Sequence, residues 1–213
     1  MPTVLGVNAS PFVRKVRVAL AEKNIPYDLQ PVFPAAADED FRKISPLGKI
    51  PGFRDGDKGF SDSSVICAYL EKKHPSPSLY PSDPYEYARS LWFEEYADSA
   101  MVQVIGPKIF FEKVVNPKFF NKPTNEETVA KAVNEELPPV LAYVESQLAG
   151  DYLAGNQLTV GDIAVCSMLV NLFHAGVTLD TAKYPKLARY AARIHERPSF
   201  RACIDEEKAQ YGL

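Results

Sequence analysis

Apolar positions along this chain repeat first with mixed strand and helix periods and then with a helical period alone. Thr3 to Val7 is a short apolar run rich in β-branched residues, the pattern of a buried strand. Ser10 precedes Pro11, a pairing that suits an N-cap and first helical turn. Phe12, Val16, Ala19 and Leu20 then recur at helical spacing until Asn24 ends the pattern. Tyr27 to Val32 reads as a second strand despite Pro31, followed by a polar loop and a short helix from about Asp38 to Ile44. Gly52-Phe53-Arg54 and Lys58-Gly59-Phe60 flank Asp55-Gly56-Asp57, a hairpin signal with glycine in the turn. Asp62 or Ser61 caps a third helix, whose Val65, Ile66, Tyr69 and Leu70 carry the pattern to His74. The order β-α-β-α-β-β-α predicts a small three-layer α/β domain. Its first strand–helix–strand unit is expected to pair in parallel through a right-handed crossover.

Pro75, Pro77, Pro81 and Pro84 interrupt regular structure and read as an interdomain connection. The expected organisation is a domain over residues 1–77, a linker over 78–84 and a helical domain over 85–213. Tyr85 to Phe111 predicts a long helix, bent at Gly106-Pro107. A second runs from about Asn125 to Leu148 with a bend near Pro138-Pro139, a third from Val160 to Phe173, and two shorter ones follow Tyr184 and Arg197. Thr159-Val160-Gly161-Asp162 has the spacing of a capping box, and Leu158 and Ile163 occupy the positions of a hydrophobic staple. The helix it starts is apolar nearly all round, which predicts the buried centre of its domain. That role is structural, so Asp162 is not read as catalytic.

Composition narrows the function classes. The chain has 213 residues and a formal charge of -3, with no basic field for a nucleic-acid backbone. No Lys/Arg stripe points to a membrane surface, no apolar run is long enough to span a bilayer, and Met1 to Leu5 carries no signal-peptide pattern. The three cysteines lack the number for a disulfide framework and the spacing for zinc. The expected compartment is the cytoplasm, without nucleic acid, membrane or metal as partner. His74, His174 and His195 lack ligand spacing and read as helix-end or surface residues, and Cys67 and Cys166 as buried structural thiols.

Three short segments carry candidate chemistry. Ser10 falls where the first strand ends and a helix starts, so free backbone N–H groups and a partial positive charge meet its hydroxyl. A ligand thiol titrates near ~8.5, and lowering that to about 6.5 takes roughly 2.7 kcal/mol. A charge-assisted hydrogen bond contributes about 1.5–3 kcal/mol and a helix terminus about 0.3–2 kcal/mol, which together reach that magnitude. Ile50-Pro51 lies just before the third strand, either as an ordinary trans proline, which sequence alone favours, or as a cis one. The cis form leaves the Ile50 backbone free to pair with a peptide. Asp62-Ser63 opens the third helix. Its amides and the Ser63 hydroxyl suit a carboxylate and Asp62 an ammonium group, although both are also favoured residues for a plain helix start. Lys49 is either a second carboxylate contact or one more solvated lysine.

Taken together, Ser10-Pro11-Phe12-Val13-Arg14-Lys15-Val16, Ser45-Pro46-Leu47-Gly48-Lys49-Ile50-Pro51 and Ser61-Asp62-Ser63-Ser64-Val65-Ile66 resemble three signatures of the cytosolic glutathione transferases. The serine followed four residues later by arginine is similar to the serine-type classes (theta, phi and tau) and their bacterial relatives. The Leu158 to Asp162 cap resembles the family's second-domain signature, so the resemblance covers essentially the whole chain.

The resemblance implies a thioredoxin-like α/β N-terminal domain, an all-α C-terminal domain, a homodimer, and glutathione as co-substrate. It makes Ser10 the thiolate-stabilising serine and puts Lys49 on the glycine carboxylate. Ile50 would pair through its backbone with the cysteinyl part beside a cis Pro51, and Asp62 and Ser63 would hold the γ-glutamyl end. Phe12 and Val13 line the floor near the sulfur. Tyr96, Met101, Gln103 and Ile105 are candidates for the pocket of a small hydrophobic electrophile, against the plainer assignment of such a stripe to core. The implied activity is conjugation of the detoxifying kind. No cysteine stands at position 10 or 12, as in thiol–disulfide-exchanging members, and the Ser-Ser-Cys run of zeta-class isomerases is also absent. Glutathione-dependent disulfide or peroxide reduction, and a non-catalytic binding role, are the alternatives.

Overall fold

The computed structural model describes residues 1–34 and 38–212. Part of the loop expected after the second strand, residues 35–37, lies outside the described residues, as does the last residue of the helical domain. The chain divides into two compact units: Met1–Tyr80 together with Pro198–Gly212, and Pro81–Arg197.

In the first unit the order is β1 (Thr3–Leu5), α1 (Pro11–Glu22), β2 (Asp28–Gln30), α2 (Glu39–Ile44), β3 (Gly52–Asp55), β4 (Lys58–Ser61) and α3 (Ser63–Lys73). The sheet order is β2-β1-β3-β4, with β1 and β2 parallel and the other pairs antiparallel. The strands are shorter than the apolar runs that predicted them, because pairing stops where the chain turns towards the helices. Gly52 and Gly59 face α2 closely: a Cβ at either would lie 2.9 Å from Phe41 or Ile44. The alternate positions Phe53 and Phe60 point to the other face, where they stack with Tyr69 of α3. This is the expected α/β arrangement of the thioredoxin-like kind, with helices on both sheet faces.

The last helix, α11 (Pro198–Tyr211), belongs to this first unit and not with the helices that precede it. Arg14 on α1 donates from Nε to Glu207 Oε1 at 2.8 Å, and both side chains are fully buried. Arg17 likewise pairs with Glu206, and the Ser199 hydroxyl donates to Glu22 at 2.5 Å. An uncompensated buried guanidinium is costly, so these carboxylates hold α11 against α1. The sequence-based division, with 85–213 as one helical domain, differs from this grouping because the ion pairs join residues nearly 200 apart in sequence.

The second unit is all α. It contains α4 (Pro84–Tyr96), a π-helical stretch at Ala97–Met101, α5 (Val102–Val104), a second at Ile105–Val115, α6 (Asn116–Phe119), α7 (Glu126–Lys131), a third at Ala132–Glu136, α8 (Leu137–Gln147), α9 (Val160–His174) and α10 (Pro185–His195). The two places where bends are expected fall in or beside these wide turns. Gly106-Pro107 lies inside the second, and Pro138-Pro139 follows the third, where an i→i+5 turn accommodates the missing proline N–H.

α9 is buried from Val160 to Leu172. Its capping box is complete, and Asp162 accepts from Leu153 N, Thr159 N, Thr159 Oγ1 and Tyr190 Oη at 2.8–2.9 Å. Burial pushes its carboxyl above the usual range against the opposing pull of those donors. Gly161 lets α4 approach, since a Cβ there would lie 2.6 Å from the Ser90 carbonyl oxygen. Among the described residues no helix is long and apolar enough to cross a membrane.

Candidate active site

Sheet register brings the three sequence segments to one place. Leu5, the last residue of β1, pairs with Gly52, the first of β3, and Gly52 pairs with Ser61, the last of β4. The exit of β1, the entry of β3 and the exit of β4 therefore form one row across the sheet. Ser10, Ile50-Pro51 and Asp62-Ser63 all lie beyond that end. Gly6 closes the gap between two of them. A Cβ on Gly6 would meet Val13 Cγ2 at 2.6 Å and Ile50 Cβ at 3.2 Å, so glycine lets the first turn of α1 and Ile50 pack against the strand end. Sequence reasoning did not single out Gly6; its position one residue after a strand run is the only signal it offers.

Ser10 is the N-cap of α1, and its Oγ accepts from Val13 N at 3.4 Å. That is a long hydrogen bond, and it uses a lone pair of the oxygen, leaving the hydroxyl proton free to donate. Pro11 has no N–H, Val13 is bonded to Oγ, and Arg14 N donates to the Ser10 carbonyl at 2.9 Å. Phe12 therefore carries the amide left open at this terminus. Its side chain is half-buried, while Val13 is fully buried beneath the turn.

The Ile50-Pro51 peptide is cis, as is Ser76-Pro77. Among the described residues nothing hydrogen-bonds the Ile50 backbone. Lys49 is exposed, and its carbonyl is held by the Ser45 hydroxyl at 2.6 Å.

Asp62 caps α3 with its Oδ1 accepting from Ser64 N at 2.9 Å and Val65 N at 3.2 Å, in a backbone conformation of φ +82°. A positive φ at a non-glycine residue costs roughly 1–3 kcal/mol, offset here by the two capping bonds. Oδ2 remains for a cation, and the Ser63 N–H and hydroxyl remain for an anion. Lys15, buried on α1, donates to Ser64 Oγ at 3.1 Å and so ties the two helix termini together. Two helix N-termini at one sheet end make a site suited to anionic groups.

The proposed electrophile residues Tyr96, Met101 and Ile105 lie in the second unit. Met101 and Ile105 are fully buried. Tyr96 stacks on Tyr143 at 4.7 Å between ring centroids and donates to the Val140 carbonyl at 3.3 Å. Burial raises its phenol above the usual range, with Tyr143 adding to the effect. Cys67, Cys166 and Cys203 are all buried, and burial pushes the Cys203 thiol up to about 11. His195, at the end of α10, donates from Nε2 to the Cys166 carbonyl at 3.0 Å. Among the described residues no group of three or more His, Cys, Asp or Glu is placed to hold a metal.

Comparison with known proteins gives this geometry a family. Residues 4–78 match the glutathione S-transferase N-terminal domain and residues 110–206 match the glutathione S-transferase C-terminal domain. A glutathione S-transferase of Hyoscyamus muticus is 30% identical over 207 residues, covering 94% of this chain and 96% of its own length. A crystal structure of a glutathione S-transferase from Rhodospirillum rubrum F11 matches with a TM-score of 0.86 and 26% identity, over 95% of this chain and 91% of that one. One from Methylobacterium radiotolerans, in complex with glutathione sulfonate, matches with a TM-score of 0.77 and 28% identity, over 95% and 94% of the two chains. The chain belongs to the glutathione S-transferase family of enzymes.

Proposed function

We propose that this chain joins glutathione to a small hydrophobic electrophile, with the Ser10 hydroxyl donating to the glutathione thiolate. The observation that carries this reading is the convergence of two helix N-termini and the open Ile50 backbone at one end of the sheet. Ser63 takes the γ-glutamyl carboxylate and Asp62 Oδ2 its ammonium group. The Ile50 amide and carbonyl pair with the cysteinyl residue, and Lys49 meets the glycine carboxylate. Phe12 presents its amide and half-buried ring near the sulfur, over Val13. Phe12, beside the thiol site, is the proposed contact for the electrophile. The bound glutathione sulfonate in the Methylobacterium relative supports the choice of ligand.

The thiol releases its proton to water, and the resulting sulfur anion attacks the electrophilic carbon as the leaving group departs or a strained bond opens. Ser10 stays a hydrogen-bond donor throughout and forms no covalent bond. The reading includes a homodimer in the cytoplasm.

The test is Ser10→Ala, followed by titrating the bound thiol and assaying an electrophile panel. Losing a charge-assisted hydrogen bond of about 1.5–3 kcal/mol raises the thiol pKa by about 1–2 units, with glutathione still bound. An unchanged thiol titration removes Ser10 from the mechanism. No calorimetric binding of glutathione at millimolar concentration returns the chain to a non-catalytic role, and disulfide reduction exceeding conjugation selects the reductase activity.

A further inference from the structure

Asn8 sits in the tight turn that delivers Ser10, and it is held by the far end of the chain. The turn is closed by Ser10 N donating to the Val7 carbonyl at 3.1 Å. Asn8, the first residue inside it, is 2% exposed, and its side-chain amide is fully engaged. Nδ2 donates to Gln210 Oε1 at 2.6 Å and to Glu206 Oε1 at 3.2 Å. Its Oδ1 accepts from the Tyr211 hydroxyl. That hydroxyl also accepts from the backbone of Ala9, the next residue of the turn. Glu206 is in turn fastened by Arg17, whose Nε donates to Tyr27 Oη at 2.8 Å.

These bonds differ from those of an ordinary helix tether. They do not grip α1 itself, which the Arg14–Glu207 pair already holds to α11. They grip the two residues immediately before the N-cap, whose backbone sets where the Ser10 hydroxyl points. Beyond that closing bond a turn of two residues has few internal restraints, and such turns open at low free energy unless tied down. A catalytic hydroxyl is effective only when held near its productive position, through neighbours that are themselves fixed.

We propose that Asn8 and Tyr211 are positioning residues for the thiol site: α11 locks the Val7–Ser10 turn and thereby aims the Ser10 hydroxyl at the glutathione sulfur. This inference rests on the role proposed for Ser10. The C-terminal helix thus acts on the chemistry without touching the substrate, and Gln210 and Glu206 hold Asn8 in the orientation that Tyr211 requires.

The test compares Tyr211→Phe, which removes only the hydroxyl, with Ser10→Ala and with Lys208→Gln, an exposed position on the same helix. Two readouts are taken on the full chain: hydrogen exchange of the Ser10 amide without ligand, and the thiol pKa of bound glutathione. In Tyr211→Phe the Ser10 amide is expected to exchange about tenfold faster or more, with α1 amides beyond Arg14 unchanged. The bound thiol pKa is expected to rise by about half a unit to one unit, with kcat falling about three- to tenfold near pH 6.5 and glutathione affinity changing less than about twofold. Gln210→Leu is expected to give a weaker version of the same pattern, and Lys208→Gln neither effect.

Unchanged Ser10 exchange in Tyr211→Phe overturns the clamp outright. Faster exchange with an unchanged thiol pKa, while Ser10→Ala does shift that pKa, reduces Tyr211 to a structural tether and overturns the inference alone. An unchanged thiol pKa in Ser10→Ala overturns the role of Ser10 itself, and the positioning role with it.

Discussion

The buried ion pair between Arg14 and Glu207 makes a quantitative prediction about how the last helix is attached. Arg14 donates through Nε at 2.8 Å and through a second nitrogen at 2.5 Å to the two oxygens of Glu207, and neither side chain is exposed. Glu207→Gln keeps the shape and one acceptor but leaves the guanidinium charge buried without a counter-charge. Breaking such a pair on one side costs about 3–5 kcal/mol. Against a total stability of about 5–15 kcal/mol that is roughly a fifth of the whole or more. With a urea dependence of about 1–3 kcal/mol per molar, the midpoint is expected to fall by about 1–5 M.

The chain's single tryptophan, Trp92, lies in the second unit, so its fluorescence is the wrong probe for this change. Hydrogen exchange of the α1 amides from Val16 to Leu20 reads the first unit directly, while far-UV circular dichroism during urea unfolding follows the chain as a whole. Replacing both partners by apolar residues, Arg14→Met with Glu207→Leu, is expected to recover most of the loss, because desolvation and attraction then vanish together. A Glu207→Gln variant destabilised by less than about 1 kcal/mol, or a double variant no better than the single, would refute the reasoning that an uncompensated charge is what the pair prevents.

Further outcomes follow from the same coordinates. Gly6→Ala places a Cβ 2.6 Å from Val13 Cγ2 and 3.2 Å from Ile50 Cβ, so it is expected to weaken glutathione binding about tenfold or more by parting the two sides of the site; calorimetry checks it. Asp162→Asn turns an acceptor towards four donors into half donor, leaving at least one buried donor unpaired. The expected loss is about 1–3 kcal/mol, read by Trp92 fluorescence during unfolding. Cys203 has a thiol raised from 9.0 to about 11 by burial, so the folded state holds that proton more tightly than the unfolded one. Its contribution is therefore complete below about pH 9 and lost as pH rises through about 11, by up to about 3 kcal/mol. A Cys203→Ala variant whose unfolding midpoint still falls over that interval as steeply as the parent's would contradict this.

Much of the local structure was legible because local signals encode it. Ser10 and Asp62 both cap helices through short side chains acting on amides two or three residues away, an interaction confined to one turn. The Asp55-Gly56 turn supplies the hairpin, with Gly56 at φ +63°, and the capping box before α9 appears with both of its bonds. The three site segments were legible for the same reason, each being a strand end or helix start with a recognisable residue.

What the sequence alone determined, then, was the set of elements, their two periods and the local chemistry at their ends. The tertiary structure decided which distant pieces meet. Register puts Leu5, Gly52 and Ser61 side by side and so turns three separate signals into one site. Buried charge sends α11 back to the first unit, and wide π-helical turns lie at or beside the prolines of the second. Asn8 shows the difference most plainly. In the sequence it is an ordinary turn residue, and its partners lie 198 to 203 positions away. Helix caps act within a turn of chain, whereas burial and ion pairing act through space, and only folding brings those partners within reach.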